Sequence, residues 1–291
     1  MKPHKSLSLK THSGYSVLLI VLFLLFFGAT VALIVKIGGE HISIGEDASL
    51  PIGADYFRQA VDIRGRGAYL KVAHSQDIQP KAGKAFLIVA WFKMDSLPKE
   101  GERVFLLSKY DGSSPSKSGY ALALKGKYQG VNPEVYWRDE KSLGGWYVFS
   151  EVSIVPNVWF LTAIAFYEER YLAVYISTIN ASGEIHLDLA GGYELSQPVY
   201  PSSSAQLKFG SVKTGHFKGN IGPVGVFYPH SLGNATKTKL ESFLKDPFNI
   251  PSWIKGDEVI LWVPDGSSDK GPFEFPIKIM EPKRIKNLVK G

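Results

Sequence analysis

Short segments rich in β-branched, aromatic and aliphatic residues, each closed by Gly, Pro, Asn or Asp, follow one another from residue 68 onward. That rhythm leaves little except antiparallel strands open to the chain. "AYLKVA" (68–73) alternates, and "AFLIVAWFKM" (85–94) is almost continuously apolar, the pattern of a strand buried on both faces. "RVFLLSKY" (103–110), "GYALALKG" (119–126), "PEVYWR" (133–138) and "GWYVFSEVSI" (145–154) continue the series. "WFLTAIAFYEE" (159–169), "RYLAVYIST" (170–178), "AQLKFGSV" (205–212) and "IGPVGVFY" (221–228) complete it. Only "NATKTKLESFLKDP" (234–247) has helical spacing, with Asn234 placed to cap, Leu240, Phe243 and Leu244 on one face, and Pro247 as the stop. About ten strands and one short helix predict an all-β antiparallel sandwich and not an alternating α/β fold.

The N-terminus has a different solvent. Residues 16–35, "SVLLIVLFLLFFGATVALIV", carry no charge, and about twenty helical residues cross the roughly 30 Å hydrocarbon core of a bilayer. Lys2, Lys5 and Lys10 precede this run, whereas Glu40, Glu46 and Asp47 follow Lys36. The flanks therefore predict a cytoplasmic N-terminus (1–15), a transmembrane signal anchor (16–36) and an extracytoplasmic remainder at the cell membrane. Gly14, after a short basic leader and directly before the apolar run, also resembles a prepilin-type cleavage position, which would make the chain a pilin-like or envelope subunit, but Ser13 stands where such leaders carry a charge and Leu19 where pilins have Glu. Residues 37–56 read as a linker, 57–250 as the sandwich, and 251–291 as an extension with possible edge strands and a basic tail.

Charge is distributed in a way that excludes a nucleic-acid partner at this level. The chain has 33 Lys and Arg against 27 Asp and Glu. Removing the four lysines of the first 36 residues leaves 29 against 27, so the folded part carries little linear excess. With no cysteine, thiol catalysis, disulfides and thiolate metal sites are excluded. The histidines show no metal-ligand spacing, and neither G-x-S-x-G nor a phosphate-cradling glycine loop is present.

Four stretches occur in a telling order: "AVDIRGRGAYLKVAHS" (60–75), "AFLIVAWFK" (85–93), "VWFLTAIAFYEERYLAVYIS" (158–177) and "LKFGSVKTGHFKGNIGPVGVFYPHSL" (207–232). Together, over about residues 57–246, they resemble the laminin-G-like, concanavalin A-like jelly-roll domain. The resemblance implies a jelly-roll β-sandwich in which Gly210 and Gly219 serve bends or close approaches. Gly222 and Pro223 stand where the family commonly has an aspartate, and a Pro there implies an edge or a bulge. The resemblance further implies recognition of glycans or an extracellular protein through loops, and calcium held by loop acids, for which Asp111 and Asp139 are the candidates.

The fold also houses glycosidases, so carboxylates on one strand face need weighing. Only "GEIHLDL" (183–189) echoes such a motif, with Glu184, His186 and Asp188 alternating. The short Asp188 and the intervening His186 spoil the reach and tuning of an acid pair, and the segment reads as a half-exposed hairpin strand. For ligand contact, "VYWRDEKSLGGWYVF" (135–149) stands out. Trp137, Arg138, Asp139, Trp146 and Tyr147 are the predicted binding residues, because sugar rings stack on exposed aromatics. The competing reading makes both tryptophans core or cross-strand partners of one hairpin. Asn180 and Asn234 match glycosylation acceptors.

Overall fold

The computed structural model describes residues 60–63, 69–110, 117–128, 130–179, 184–210, 217–264 and 277–280. The anchor, Gly14, the linker, Asp111 and Asn180 lie outside these residues. Among the described residues, no helix is long and apolar enough to cross a membrane.

Two sheets face each other. The first is ordered β1 (Val61–Asp62), β12 (Gly219–Phe227), β3 (Phe86–Met94), β8 (Trp159–Tyr167), β9 (Tyr171–Ile179), β10 (Ile185–Glu194), and β13 (Val259–Val263) also pairs with β12. The second is ordered β14 (Ile277–Met280), β2 (Tyr69–Val72), β11 (Leu207–Phe209), β4 (Arg103–Tyr110), β5 (Gly119–Gly126), β6 (Val131–Arg138), β7 (Gly144–Val148). Pairing between these strands is antiparallel throughout. The all-β sandwich expected from the segment rhythm, with the jelly roll that the resemblance implies, is the observed fold. Residues beyond 250 belong to it as well, with β13 in one sheet and β14 at the edge of the other.

Alternation decides what each face meets. In β3, Phe86, Ile88, Ala90 and Phe92 enter the core between the sheets, while Leu87, Val89 and Trp91 face outward. That outward face is also covered. Helix α1 (Thr236–Lys245) lays Leu240, Phe243 and Leu244 on it, joined by Ile254 and Trp262. Strand β3 is thus buried on both sides, as its unbroken apolar run predicts. We call this the covered sheet and the other the open sheet.

The predicted bends hold for a physical reason. Gly210 has φ +91°, and a Cβ there would sit 2.1 Å from Ile63 Cδ1. Gly219 has φ +148°, and its Cβ would meet Lys93 O at 1.9 Å. The register between β12 and β3 shifts between Ile221 and Val224, so Gly222–Pro223 forms a bulge inside the covered sheet. Asn234 does not cap the helix. The N-cap is Ala235 without a side-chain bond, and Thr236 Oγ1 instead accepts the Gly233 N–H at 2.8 Å. Strand β7 ends at Val148, earlier than predicted, where Phe149 N donates to Pro133 O and Ser150 N to Ala190 O, carrying the chain toward the covered sheet.

Candidate functional site: an aromatic face on the open sheet

The outer face of the open sheet has no helix on it among the described residues, yet it carries four aromatic rings. Phe105, Tyr110, Tyr136 and Trp146 stand over the small residues Ala121 and Ala123 of the central strand β5. Register explains the assembly: Ala121 pairs with Tyr136, which pairs with Trp146, while Phe105 pairs with Ala123. With only methyl groups on β5, the flanking rings lean inward over it. Ring centroids lie 4.5 Å apart for Tyr110–Tyr136, 5.3 Å for Tyr136–Trp146 and 6.0 Å for Phe105–Trp146. Trp146 tops the cluster and remains 37% exposed.

Polar groups frame it. The Arg103 guanidinium lies 4.2 Å from the Trp146 ring centroid and donates from Nε and Nη2 to Glu134 Oε2 at 2.6 and 2.5 Å. Lys125 Nζ stands 3.9 Å from the other Glu134 oxygen. Glu134 is buried against the sheet, so the pair fixes the guanidinium plane on the indole. Tyr136 donates its hydroxyl to Lys117 O, which anchors the cluster at its other end.

The five predicted binding residues part company here. Arg138 and Trp146 lie on the outer face. Trp137 does not: its side chain points between the sheets with no exposure, donates from Nε1 to Val199 O at 3.0 Å, and packs on Phe86, Tyr120 and Phe166. The expectation that Trp137 meets a ligand is therefore corrected. Tyr147 also turns inward, pairing with Val135 and packing on Tyr193 at 5.2 Å, and burial raises its pKa. Asp139 shapes the hairpin turn, its Oδ1 accepting the Leu143 N–H at 2.8 Å. Calcium wants six to eight oxygen ligands, and the described residues do not assemble them around Asp139; among these residues no group of three or more His, Asp or Glu could hold a metal ion. Phe105, Tyr110, Tyr136 and Arg103 were missed because each looks like an ordinary strand residue. The available signal was Ala-x-Ala in β5 between strands with aromatics at alternate positions.

Other clusters have less chemistry. His186, Asp188 and Thr178 meet on the β9–β10 hairpin, beside a cleft of ≈ 360 Å³ also lined by Ser150, Glu151 and Ser153. Thr178 Oγ1 lies 3.2 Å and Asp188 Oδ2 3.0 Å from the same imidazole nitrogen, Nε2, and the hydroxyl donates directly to Asp188 at 2.8 Å. A nucleophile-activating histidine must bridge acid and hydroxyl through its two different nitrogens, so this trio relays no proton. Glu184 stands exposed just before β10, at the hairpin, as its sequence context predicts. Elsewhere, Glu258 is buried and accepts N–H bonds from His230 at 2.6 Å and Lys255 at 2.8 Å, with His230 Nδ1 also against it. Burial pushes its carboxyl up, but these bonds outweigh it and the net shift is downward.

Lys109 is fully buried, with no carboxylate paired to it among the described residues. It donates to Ser203 O and Ala205 O at 2.7 Å each and to His74 Nδ1 at 2.9 Å, tying the 203–205 segment to β4. Burial lowers its pKa to about 8. A lysine lowered on folding binds its proton less readily in the native state, so the unfolded chain holds the extra proton between about pH 8 and about 10.4. Stability therefore rises with pH across that window. The stability of the protein relative to Lys109→Met, followed by urea unfolding, is expected to grow from pH 8 to pH 10. A constant difference would show that Lys109 titrates normally.

No protein-family model and no curated protein matches the sequence. Solved structures with a similar fold include the SAP-like pentraxin of Limulus polyphemus, at 11% identity and TM-score 0.42, over 77% of this chain and 98% of that one. Another is the CBM40 of Ruminococcus gnavus IT-sialidase bound to alpha2,3 sialyllactose, at 14% and 0.43, over 62% of this chain and 95% of that one. The botulinum neurotoxin serotype G binding domain is similar at 14% and 0.42, over 67% of this chain and 49% of that one. Similarity this remote assigns no ligand or activity to the chain.

Proposed function

We propose that this protein is a glycan-recognition module, held outside the cytoplasm by residues 16–36, that binds its ligand on the outer face of the open sheet. One observation carries the reading: four aromatic side chains cluster on a sheet face that no described layer covers, while the equivalent face of the other sheet is sealed by α1. Phe105 and Tyr136 are buried within the cluster and Tyr110 is half-buried, so Trp146 is the ring it offers to a ligand. A sugar ring offers an apolar C–H face to the indole of Trp146 and hydroxyls to its rim. Donors of Arg103 not spent on Glu134 supply hydrogen bonds there. Recognition breaks no bond, and the rigid β4–β7 framework holds the site before the ligand arrives.

The full chain, purified in a non-ionic detergent, is expected to bind a restricted set of structures on a glycan array. A blank array from protein with a cooperative thermal transition would remove the glycan reading. Protease added to intact cells is expected to cut the chain beyond residue 37; complete protection would overturn the extracytoplasmic placement.

A further inference from the structure

We propose that Arg103, oriented by Glu134 and flanked by Lys125, selects a single acidic sugar unit. Its carboxylate or sulfate seats on the free fork of the guanidinium, and its ring lies on the exposed part of the Trp146 indole. This rests on the glycan reading above and adds the charge and size of the recognised unit to it.

The fork follows from the way Glu134 holds its partner. A guanidinium carries five N–H donors in one plane. Nε and Nη2 both donate to Glu134 Oε2, at 2.6 and 2.5 Å, which uses the side of the group nearest its stem. Three donors remain, two on Nη1 and one on Nη2, and Arg103 makes no other hydrogen bond among the described residues. The remaining Nη1 and Nη2 donors form the end-on fork that matches two oxygens of one anionic group. Glu134 is buried, and the indole centroid lies 4.2 Å from the guanidinium, so the fork is oriented before a ligand arrives.

Every group the ligand has to reach is open. The Arg103 and Lys125 side chains are 37% and 38% exposed, much like Trp146. Lys125 is the cross-strand partner of Arg103, and its Nζ stands 3.9 Å from Glu134 Oε1, which places a second cation beside the fork. Because guanidinium and indole are in contact, one sugar ring meets both.

Charge favours an anion. Two cations share the one carboxylate of Glu134, so the group is left with an excess positive charge. Lys71 and Lys208 pair across β2 and β11 on the same face, their neighbours Leu70, Val72, Leu207 and Phe209 pointing into the core. Neither lysine has a carboxylate partner among the described residues; Lys208 Nζ lies 5.3 Å from the Tyr69 ring centroid instead. They add to the positive field around the fork. A nucleic-acid strand wants successive rings and cations along its backbone. With Phe105 and Tyr136 buried, one ring is offered here, which fits one sugar unit.

The test uses the full chain in non-ionic detergent at low salt, titrated with digalacturonic and hexagalacturonic acid and with their methyl esters. Sulfated lactose against lactose forms a second arm, and single-stranded DNA a third. The two-unit acid is expected to bind about tenfold tighter than its ester, the gain from one charge-assisted fork. The six-unit acid is expected to add little to that. Arg103→Gln/Glu134→Gln removes one charge of each sign, so net charge is unchanged and no buried carboxylate is stranded. This double variant is expected to lose the acid preference with its thermal transition retained. Lys125→Gln, at an exposed position with only a long contact, is expected to weaken the preference with the fold intact, and decides the matter if the double variant does not fold. A preference for sulfated lactose over the galacturonides would keep the proposal and identify the anion as sulfate. Acid preference undiminished in these variants would overturn the assignment to the fork, and a gain of about tenfold from two units to six would overturn the single-unit reading. Equal binding of acid and ester, and of lactose and its sulfate, would overturn the charge inference and leave glycan recognition standing. Failure of every sugar, neutral or acidic, would remove the glycan reading itself. DNA binding tighter than any acidic sugar would overturn the proposal in favour of a nucleic acid.

Discussion

Trp137→Ala is expected to destabilise the fold by about 3–5 kcal/mol, the range for emptying a large buried aromatic site. The indole is fully enclosed between the sheets, with Phe166 at 5.1 Å, Tyr120 at 6.0 Å and Phe86 at 6.2 Å between ring centroids. These neighbours are anchored by their own strands and cannot collapse into the space. Truncation also strands Val199 O, which accepts the Nε1–H at 3.0 Å, on an irregular segment with no ladder to replace the bond. Against a total stability of roughly 5–15 kcal/mol, such a loss brings the domain near its unfolding threshold. Urea denaturation measures it. Trp137→Phe should recover much of the packing but not the hydrogen bond. A loss below about 1 kcal/mol on truncation to Ala would mean that the ring does not sit in the core.

Trp146→Ala is expected to do the reverse. Its ring is 37% exposed and touches Arg103, Tyr136 and Phe105 on one side only of the sheet. Losing these contacts should change stability by about 1 kcal/mol. Loss of an anchoring aromatic at a binding site costs about 2 kcal/mol, close to a thirtyfold weaker affinity. Titration of the best array ligand into both proteins checks this, with Trp146→Phe falling between them. Undiminished binding by Trp146→Ala would move the site off this face, with the cleft beside Asp188 the next surface to test.

The contrast between the two tryptophans shows where sequence reading stops. Both stand in the same fifteen-residue stretch, and both are aromatic residues in strands with alternating character. Which of them is buried depends on the offset between β6 and β7. The hairpin turn at Asp139–Leu143 pairs Tyr136 with Trp146 and Trp137 with Gly145. One residue of slip would exchange the two faces. The same limit hid the basic surface. Counted along the chain, the folded part is nearly neutral, yet Lys71, Lys208 and Arg103 come from strands distant in sequence and adjacent in the open sheet.

Strand identity, turn positions, the two-sided burial of β3 and the need for glycine at 210 and 219 were determined by the sequence itself. Each depends on side-chain period or local backbone sterics, which act within a few residues. The jelly-roll resemblance extended that to the order of the segments. The choice of exposed face, the gathering of Phe105, Tyr110, Tyr136 and Trp146 over Ala121 and Ala123, and the meeting of Arg103 with Glu134 and Trp146 were decided only by tertiary structure. They follow from register and strand order, which are set by pairing between segments a hundred residues apart and more, and no local pattern encodes which distant strand will become a neighbour.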